Sequence, residues 1–436
     1  MHRRRRDSAR ALTRPLASLL IAAALLAAAC GSSGPTASPS VQPPSPTPTA
    51  SIGPTGSPAA DASAIYAAIE EQVIAIRGLT PKAAVDPQIL DDAGIRKLTA
   101  ESFAKDNPKE LIDANERLLK ALGLLSGDVS LNDLYIDLLG SQVAGLYSPD
   151  DKKLYVVSRS GAIGAAEKSA FSHEFTHALQ DQTFDLNGLK FDEIGQSDRS
   201  FGRLALVEGD ATLAMSNWQL KHLTSAEIGA MIAGAGNDES TKALLAMPAI
   251  LRESLLFPYL QGLTFVQGFQ MSGGWPAVDA LYADPPASTE QILHPDKYRA
   301  GEGPLPVSLP KDLAASLGEG WKLGLEDAFG EFQMGVWLRS NTTLGGGVAN
   351  DAAAGWGGDR VAVLSGPNGA WGVVLRTAWD TDADAQAFEA AAAPLVDGLA
   401  APASLLPGAG GRERWVVIGS DEATLGRLAG VLGLAG

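Results

Sequence analysis

The stretch FSHEFTHALQDQ, residues Phe171–Gln182, contains the motif His173-Glu174-Phe175-Thr176-His177. Residues four positions apart on an α-helix lie one turn above each other on the same face, so His173 and His177 can direct imidazole nitrogens at one metal ion. Glu174 is rotated from His173 by about 100°, because a helix has roughly 3.6 residues per turn. It therefore flanks the metal, where a general base acts on a metal-bound water.

The same motif can occur by chance on an exposed helix, with both histidines merely solvated. Two features favour a metal site instead. The whole chain has only five histidines, and two of them belong to this motif. The neighbouring positions are apolar, as on a buried helix: Phe171, Phe175, Ala178 and Leu179.

A candidate third ligand follows in a second apolar run, LVEGDA, over Leu206–Ala211. We predict that this run lies on a helix that begins near Ser197. A carboxylate in the middle of such a helix is costly to bury unless it is paired or bound to a cation. A metal ion held by the two histidines supplies that cation, so Glu208 is predicted to be a ligand.

Composition restricts the kind of metal site. Cys30 is the only cysteine among 436 residues, which excludes an intrachain disulfide and a Cys-type zinc site. A metal must then use His and carboxylate ligands, which is typical of a catalytic rather than a structural zinc site. The hydrophobic content of 45% allows a large core.

The chain is strongly acidic, with a formal net charge of −16. Residues 1–29 contain six Arg and one Asp, so the remaining residues carry −21. Such a surface repels nucleic acid and anionic membrane headgroups. Solubility explains this charge most simply, and a preference for cationic substrates is the alternative.

The N-terminal residues predict export and a membrane anchor. Residues 1–29 combine an arginine-rich start with the apolar stretch Leu16–Ala29, which is too short for a comfortable membrane span. This stretch ends in LLAAACG, which resembles a bacterial lipobox, with Ala27 where Leu is usual. We therefore predict a lipoprotein signal peptide and lipidation of Cys30, with an ordinary secretory signal as the alternative. Residues 30–60 are rich in Pro, Ser and Thr and predict an extended tether.

Beyond the tether, the pattern predicts an α+β protein with two domains. Residues 61–345 are predicted to form a mainly helical catalytic domain with a small sheet or hairpin, and residues 355–436 a small C-terminal α+β domain. The hairpin consists of Val143–Tyr147 and Lys153–Val157. We expect its strand Leu154–Val157 to border the substrate cleft and to pair with an extended peptide.

Later elements follow from hydrophobic periodicity and turn residues. We predict a kinked core helix over Ala249–Met271 and a helix over Glu326–Arg339 that packs on the catalytic domain. The C-terminal domain is predicted to alternate strands and helices, over Arg360–Ser365, Trp371–Thr377, Asp382–Leu399, Arg414–Gly419 and Glu422–Leu434.

With these residues in place, the chain resembles the zincin metallopeptidases, and most closely their gluzincin branch of thermolysin type. The stretch His173–Asp181 is similar to the active-site helix of that family. The resemblance implies a zincin-like catalytic fold and a Zn²⁺ ion bound by His173, His177 and Glu208. The acidic residue that the family carries four positions after its third ligand is replaced by Thr212, and Asp210 is the candidate substitute that would support a ligand without binding the metal.

The resemblance also implies a second hydrogen-bond donor beside the metal, a His or Tyr far downstream, which stabilises the oxyanion. His294 is our candidate, because it precedes Pro295 on a loop after a short predicted helix. Tyr259 and Tyr298 are competing donors. The alternative for His294 is a helix cap or a structural contact.

Together these features predict a lipid-anchored, extracytoplasmic zinc peptidase that hydrolyses peptide bonds in a peptide or protein substrate, with Glu174 as general base. Two alternatives remain open. One is a catalytically inactive zinc-binding or scaffold lipoprotein, and the other is a non-peptidase metal hydrolase that acts on an amide or ester.

Anchoring through Cys30 gives a direct prediction. Cys30→Ala removes the only thiol that can be lipidated, so we expect the protein to move from the membrane fraction to the soluble fraction. Fractionation of cells that express each form measures this shift. Unchanged membrane retention of the variant would show that the anchor is not a lipid on Cys30.

Overall fold

The computed structural model describes residues 58–141, 145–157, 163–191, 193–235, 239–340 and 343–434. The predicted signal peptide, Cys30 and the predicted tether up to residue 57 lie outside these ranges and stay predictions. Within these ranges, no helix combines the length and the apolar character that crossing a bilayer requires.

The first half of the chain is mainly helical. Its helices are α1 (Pro58–Arg77), α2 (Asp92–Asp106), α3 (Lys109–Ala121), α4 (Leu131–Ser141), α5 (Ala165–Phe184), α6 (Ser197–His222), α7 (Ser225–Ala235) and α8 (Glu239–Ala246). Its strands are β1 (Pro87–Leu90), β2 (Gly145–Ser148) and β3 (Lys153–Val157). The helix that begins near Ser197 is confirmed as α6.

The three strands form one small sheet in the order β1-β3-β2. The predicted hairpin is confirmed, since β2 pairs with β3 in antiparallel register. The prediction that Leu154–Val157 pairs with a peptide is wrong, because β3 is the central strand and β1 already pairs with it in parallel. Strands β1 and β2 are therefore the two edge strands of this sheet.

The middle of the chain contains one long helix and several short ones. These are α9 (Ala249–Leu281), α10 (Thr289–Leu293), α11 (Pro295–Ala300) and α12 (Leu313–Ser316). The predicted core helix over Ala249–Met271 is confirmed as the first part of α9, and a second helical segment follows a break at Gly274. Gly274 has φ 68° and ψ −169°, so the helix is interrupted there and then resumes.

The C-terminal part forms a five-stranded antiparallel sheet in the order β4-β5-β6-β8-β7. Its strands are β4 (Lys322–Asp327), β5 (Trp356–Ser365), β6 (Trp371–Trp379), β7 (Ala403–Pro407) and β8 (Glu413–Gly419). Its helices are α13 (Gly330–Arg339), α14 (Gly346–Ala353), α15 (Asp382–Asp397) and α16 (Glu422–Val431). The chain is therefore α+β, as predicted.

This sheet begins upstream of the predicted domain boundary. Strand β4 comes from residues assigned to the catalytic domain, and Glu326–Asp327 belongs to β4 rather than to the predicted helix Glu326–Arg339. Buried side chains of α9, α13 and the sheet pack in one continuous core, as Phe257, Trp337 and Val373 illustrate. The two parts of the chain therefore share a hydrophobic core.

Helices α6 and α9 approach each other closely at two glycines. A Cβ added to Gly262 would overlap the backbone carbonyl of Ala205, and a Cβ added to Gly209 would overlap the backbone of Gly262. Gly209 directly follows Glu208, so this contact holds α9 against the part of α6 that carries the candidate ligand.

This contact predicts a position-specific loss of stability. Gly262→Ala should lower the free energy of unfolding by at least about 1–3 kcal/mol, because backbone atoms cannot move aside as a flexible side chain can. Gly268→Ala on the same helix is the matched control, since no atom lies within 4 Å of the added Cβ. Urea denaturation compares the two variants. Equal stability of both would contradict the close approach of α6 and α9.

Candidate metal centre

Helix α5 carries the motif inside the protein. It packs against α1, α6 and the hairpin of β2 and β3. Phe171 lies against Tyr66 of α1, with ring centroids 4.4 Å apart, and Phe175 stacks beside Phe171. Apolar neighbours on these positions bury the helix, so the polar residues of the motif are buried with it.

Both motif histidines and Glu208 converge on one point. The Nε2 atoms of His173 and His177 are 3.0 Å apart. Oε2 of Glu208 lies 3.1 Å from Nε2 of His173 and 3.4 Å from Nε2 of His177. All three side chains are buried, at most 1% exposed. The structure thus brings the two histidines of α5 together with a glutamate of α6 that lies 31 positions beyond His177, and all three were predicted as ligands.

The donor set fits a divalent metal of the zinc type. Two imidazole nitrogens and one carboxylate oxygen are the ligand types of catalytic zinc sites. Within the described residues, the ion-pair partners of Glu208 are the two histidines, and its Oε1 is buried without a hydrogen bond. A buried carboxylate needs a cationic partner, and a metal ion bound by the same three side chains would supply one.

Electrostatics within the cluster point the same way. Burial raises the pKa of Glu208, but the adjacent His177 and His173 more than reverse this and hold it at about 2. Burial lowers the pKa of His177, whereas the Glu208 carboxylate raises it to about 9. The carboxylate therefore stays charged and attracts positive charge to the point that a metal ion would occupy.

Glu174 lies beside the three ligands but outside their cluster. Its Oε2 accepts a 2.8 Å hydrogen bond from the backbone N–H of Tyr147 on β2. Burial raises the pKa of Glu174 to about 8. Gly145 makes room for this carboxylate, because a Cβ there would come within 2.8 Å of Cγ of Glu174.

Among the described residues, His294 does not join this cluster. Its Nε2 lies 2.8 Å from Oε1 of Glu331, and its half-buried ring lines a cavity of about 470 Å³ between α9, α10, α13 and α14. Tyr259, the competing donor, is the one that the structure brings to the ligands, with its buried ring centroid 6.1 Å from that of His173. Tyr298 donates to the backbone carbonyl of Asp284. The catalytic role of His294 stays a prediction that these contacts do not support.

A second group of carboxylates, Glu290, Glu302 and Asp380, also converges. Here the ammonium of Lys297 already provides the cation, at 2.5 Å from Glu290, 3.2 Å from Glu302 and 2.6 Å from Asp380. The group thus forms an ion-pair cluster that joins α10 and α11 to the end of β6, rather than a second metal site.

The sequence interpretation missed one side chain at the centre. Gln180 lies one turn after His177, and its Oε1 is 2.8 Å from Nδ1 of that histidine. The spacing of three positions on a helix could have indicated this contact. Asp210, which we predicted to support a ligand, accepts a 3.0 Å hydrogen bond from Nε2 of Gln180 rather than contacting a histidine.

Comparison with known proteins bears on the C-terminal part alone. Residues 322–427 match a family model described as a domain of unknown function, DUF8575. The match covers about a quarter of the chain, from β4 into α16, and includes none of the metal-centre residues. No curated protein and no solved structure matches the chain.

Removing the carboxylate ligand tests the centre. Glu208→Gln keeps the shape of the side chain but removes its charge. We expect the zinc affinity to fall by at least roughly 100-fold, because the loss of a ligand should cost no less than the loss of a residue that only hydrogen-bonds to a ligand. Glu101→Gln, which changes an exposed acid of α2, is the control. Titration against a zinc-buffering chelator measures both variants. Unchanged affinity of Glu208→Gln would assign the third ligand to another residue.

Proposed function

We propose that this protein is a zinc-dependent peptidase of the zincin type, exported and held at the outer side of a membrane by a lipid on Cys30. The observation that carries the proposal is the buried convergence of His173, His177 and Glu208, with the Glu174 carboxylate beside them. The resemblance of His173–Asp181 to the thermolysin-type helix supports the same assignment.

His173, His177 and Glu208 would hold the zinc ion, which would supply an open position, a water of lowered pKa and polarisation of a substrate carbonyl. The ligand geometry that this chemistry needs is held by rigid elements, since His173 and His177 lie on α5 and Glu208 on α6. Both helices are buried around the site, which keeps bulk water from screening the charges there.

Glu174 is proposed to move the proton. Its Oε2 is held by the N–H of Tyr147, which leaves Oε1 to take a proton from water and to pass it to the leaving amine. Burial raises the pKa of Glu174 to about 8, and a zinc ion beside it would lower that pKa and favour the carboxylate form that accepts a proton. This arrangement argues against the inactive scaffold as an alternative.

Strand β2 supports a peptide as the substrate. The N–H of Tyr147 donates to Glu174 and therefore points away from β3. Backbone groups two positions apart on a strand point to the same side, so those of Gly145 also point away from β3. Because Glu174 already accepts from the N–H of Tyr147, an extended peptide would have to pair with the backbone groups of this edge that Glu174 leaves free. A simple amide or ester, the substrate of a non-peptidase hydrolase, would use little of this edge.

The partners follow from the same features. We propose a peptide or protein substrate outside the cytoplasm and a membrane contact through the lipid anchor. Nucleic acid is an unfavourable partner for a chain with a net charge of −16.

Loss of the base tests the mechanism. Glu174→Gln keeps an oxygen for the N–H of Tyr147 but cannot take a proton, so hydrolysis should slow by about 10²–10⁴-fold while zinc stays bound. Cleavage of a peptide library, with zinc content measured on the same samples, checks both expectations. Full activity in the zinc-replete variant would exclude Glu174 as the base, and cleavage of envelope esters but no peptide would favour the non-peptidase alternative.

A further inference from the structure

We propose that Gln180 is a positioning residue that selects which ring nitrogen of His177 faces the metal, and that Asp210 and Arg77 hold it in the orientation that does so. This role rests on the proposed zinc site, but it concerns residues outside the ligand set. It connects the metal centre to α1, which carries none of the ligands.

The first contact lies between Gln180 and His177. Nδ1 of His177 is 2.8 Å from Oε1 of Gln180. An amide oxygen only accepts hydrogen bonds, so this contact requires a proton on Nδ1. A neutral imidazole with its proton on Nδ1 has its lone pair on Nε2, the atom that faces His173 and Glu208.

That conclusion depends on which end of the amide faces the histidine, and two further contacts decide it. Nε2 of Gln180 lies 3.0 Å from the backbone carbonyl of Val207 and 3.0 Å from Oδ2 of Asp210. A carbonyl and a carboxylate both accept, so they require the NH₂ end of the amide. A flipped amide would face two acceptors with an oxygen and would lose both hydrogen bonds.

Asp210 can enforce this choice because it is held as a carboxylate. Arg77 donates from Nε to Oδ1 at 2.6 Å and from Nη2 to Oδ2 at 3.0 Å. In such an ion pair the carboxylate has no proton to donate, and it acts on Gln180 as an acceptor only. The hydroxyl of Tyr282 donates to the same Oδ2 at 2.8 Å.

Arg77 is itself fixed in place. It is fully buried at the end of α1, donates to Asp279 of α9 at 2.7 Å, and lies 4.5 Å above the ring of Trp275. A guanidinium so enclosed cannot turn away from Asp210 without losing these contacts. The order of contacts therefore runs from Arg77 to Asp210, to Gln180 and to His177, and it crosses from α1 through α6 to α5.

The two motif histidines differ in the hydrogen bonding of their Nδ1 atoms. Nδ1 of His173 is buried and has no hydrogen-bond partner among the described residues. The orientation of Gln180 thus acts on one ligand, and its loss should weaken metal binding without abolishing it. Partners of metal-bound histidines typically contribute about 10–100-fold to metal affinity.

The test uses Gln180→Met, which keeps the length of the side chain and its lack of charge. We expect zinc to bind about 10–100-fold more weakly in chelator competition. In the zinc-loaded wild-type protein, NMR should show an Nδ1–H proton on His177 that exchanges slowly with solvent. In the variant this protection should be lost, a change that a purely structural role of Gln180 would not produce.

Gln182→Met is the matched control, with the same substitution on the same helix. Gln182 forms three hydrogen bonds to the backbone of Lys82 and Ala83 and none to the metal centre among the described contacts. It should leave the zinc affinity and the His177 signal unchanged. An equal loss in both variants would overturn the specific role of Gln180.

If Gln180→Met does not fold, Asp210→Asn is the second test variant. An asparagine amide can donate as well as accept, so it no longer forces the NH₂ end of the Gln180 side chain to face it. We expect weaker zinc binding although Asp210 touches no ligand. Wild-type affinity in a folded Gln180 or Asp210 variant would overturn the positioning role and leave the zinc site standing. Absence of zinc binding by the wild-type protein would overturn the proposed function, and this role with it.

Discussion

Burial of the Glu208 carboxylate is the constraint on which the rest of the structure depends. This side chain has no solvent exposure and lies in the middle of a long apolar helix. An unpaired charge in that position would cost several kcal/mol. Nε2 of His173 and Nε2 of His177 on α5 lie 3.1 Å and 3.4 Å from Oε2 of this carboxylate, so α5 and α6 pack with these polar residues facing each other.

The surrounding elements keep that polar point enclosed. The glycine contact lets α9 approach the backbone of α6, and α9 in turn brings Tyr259 beside His173. On the other side, β2 supplies the N–H that holds Glu174. The C-terminal sheet does not touch this centre through any described contact, but it shares its core with α9 and is joined to α11 by Lys297. Its role in the fold is therefore to support the helices behind the centre.

What could be predicted from the sequence depended on local patterns. The spacing of His173 and His177 and the carboxylate in an apolar run were visible in the chain, and so were the hairpin and the α+β class. Strands β1, β4 and β7 were missed. Strand β1 is short and half-exposed, β4 shows only Leu325 and Asp327 as buried positions, and β7 has no fully buried position. None of them carries a hydrophobic alternation strong enough to indicate a strand. The central place of β3 depends on a parallel pairing with β1, which no local pattern predicts.

Long-range polar contacts were the least predictable part of the centre. His294 had the chemistry of a donor, but tertiary packing pairs it with Glu331 of α13. Arg77 and Asp210 are 133 positions apart, so only the folded chain shows that they form a pair.

Diffraction at the zinc absorption edge, from crystals of the zinc-loaded protein, tests the central claim most directly. The account predicts one anomalous peak about 2.0–2.2 Å from Nε2 of His173, Nε2 of His177 and a carboxylate oxygen of Glu208. A zinc ion bound elsewhere, or no peak at these residues, would contradict it.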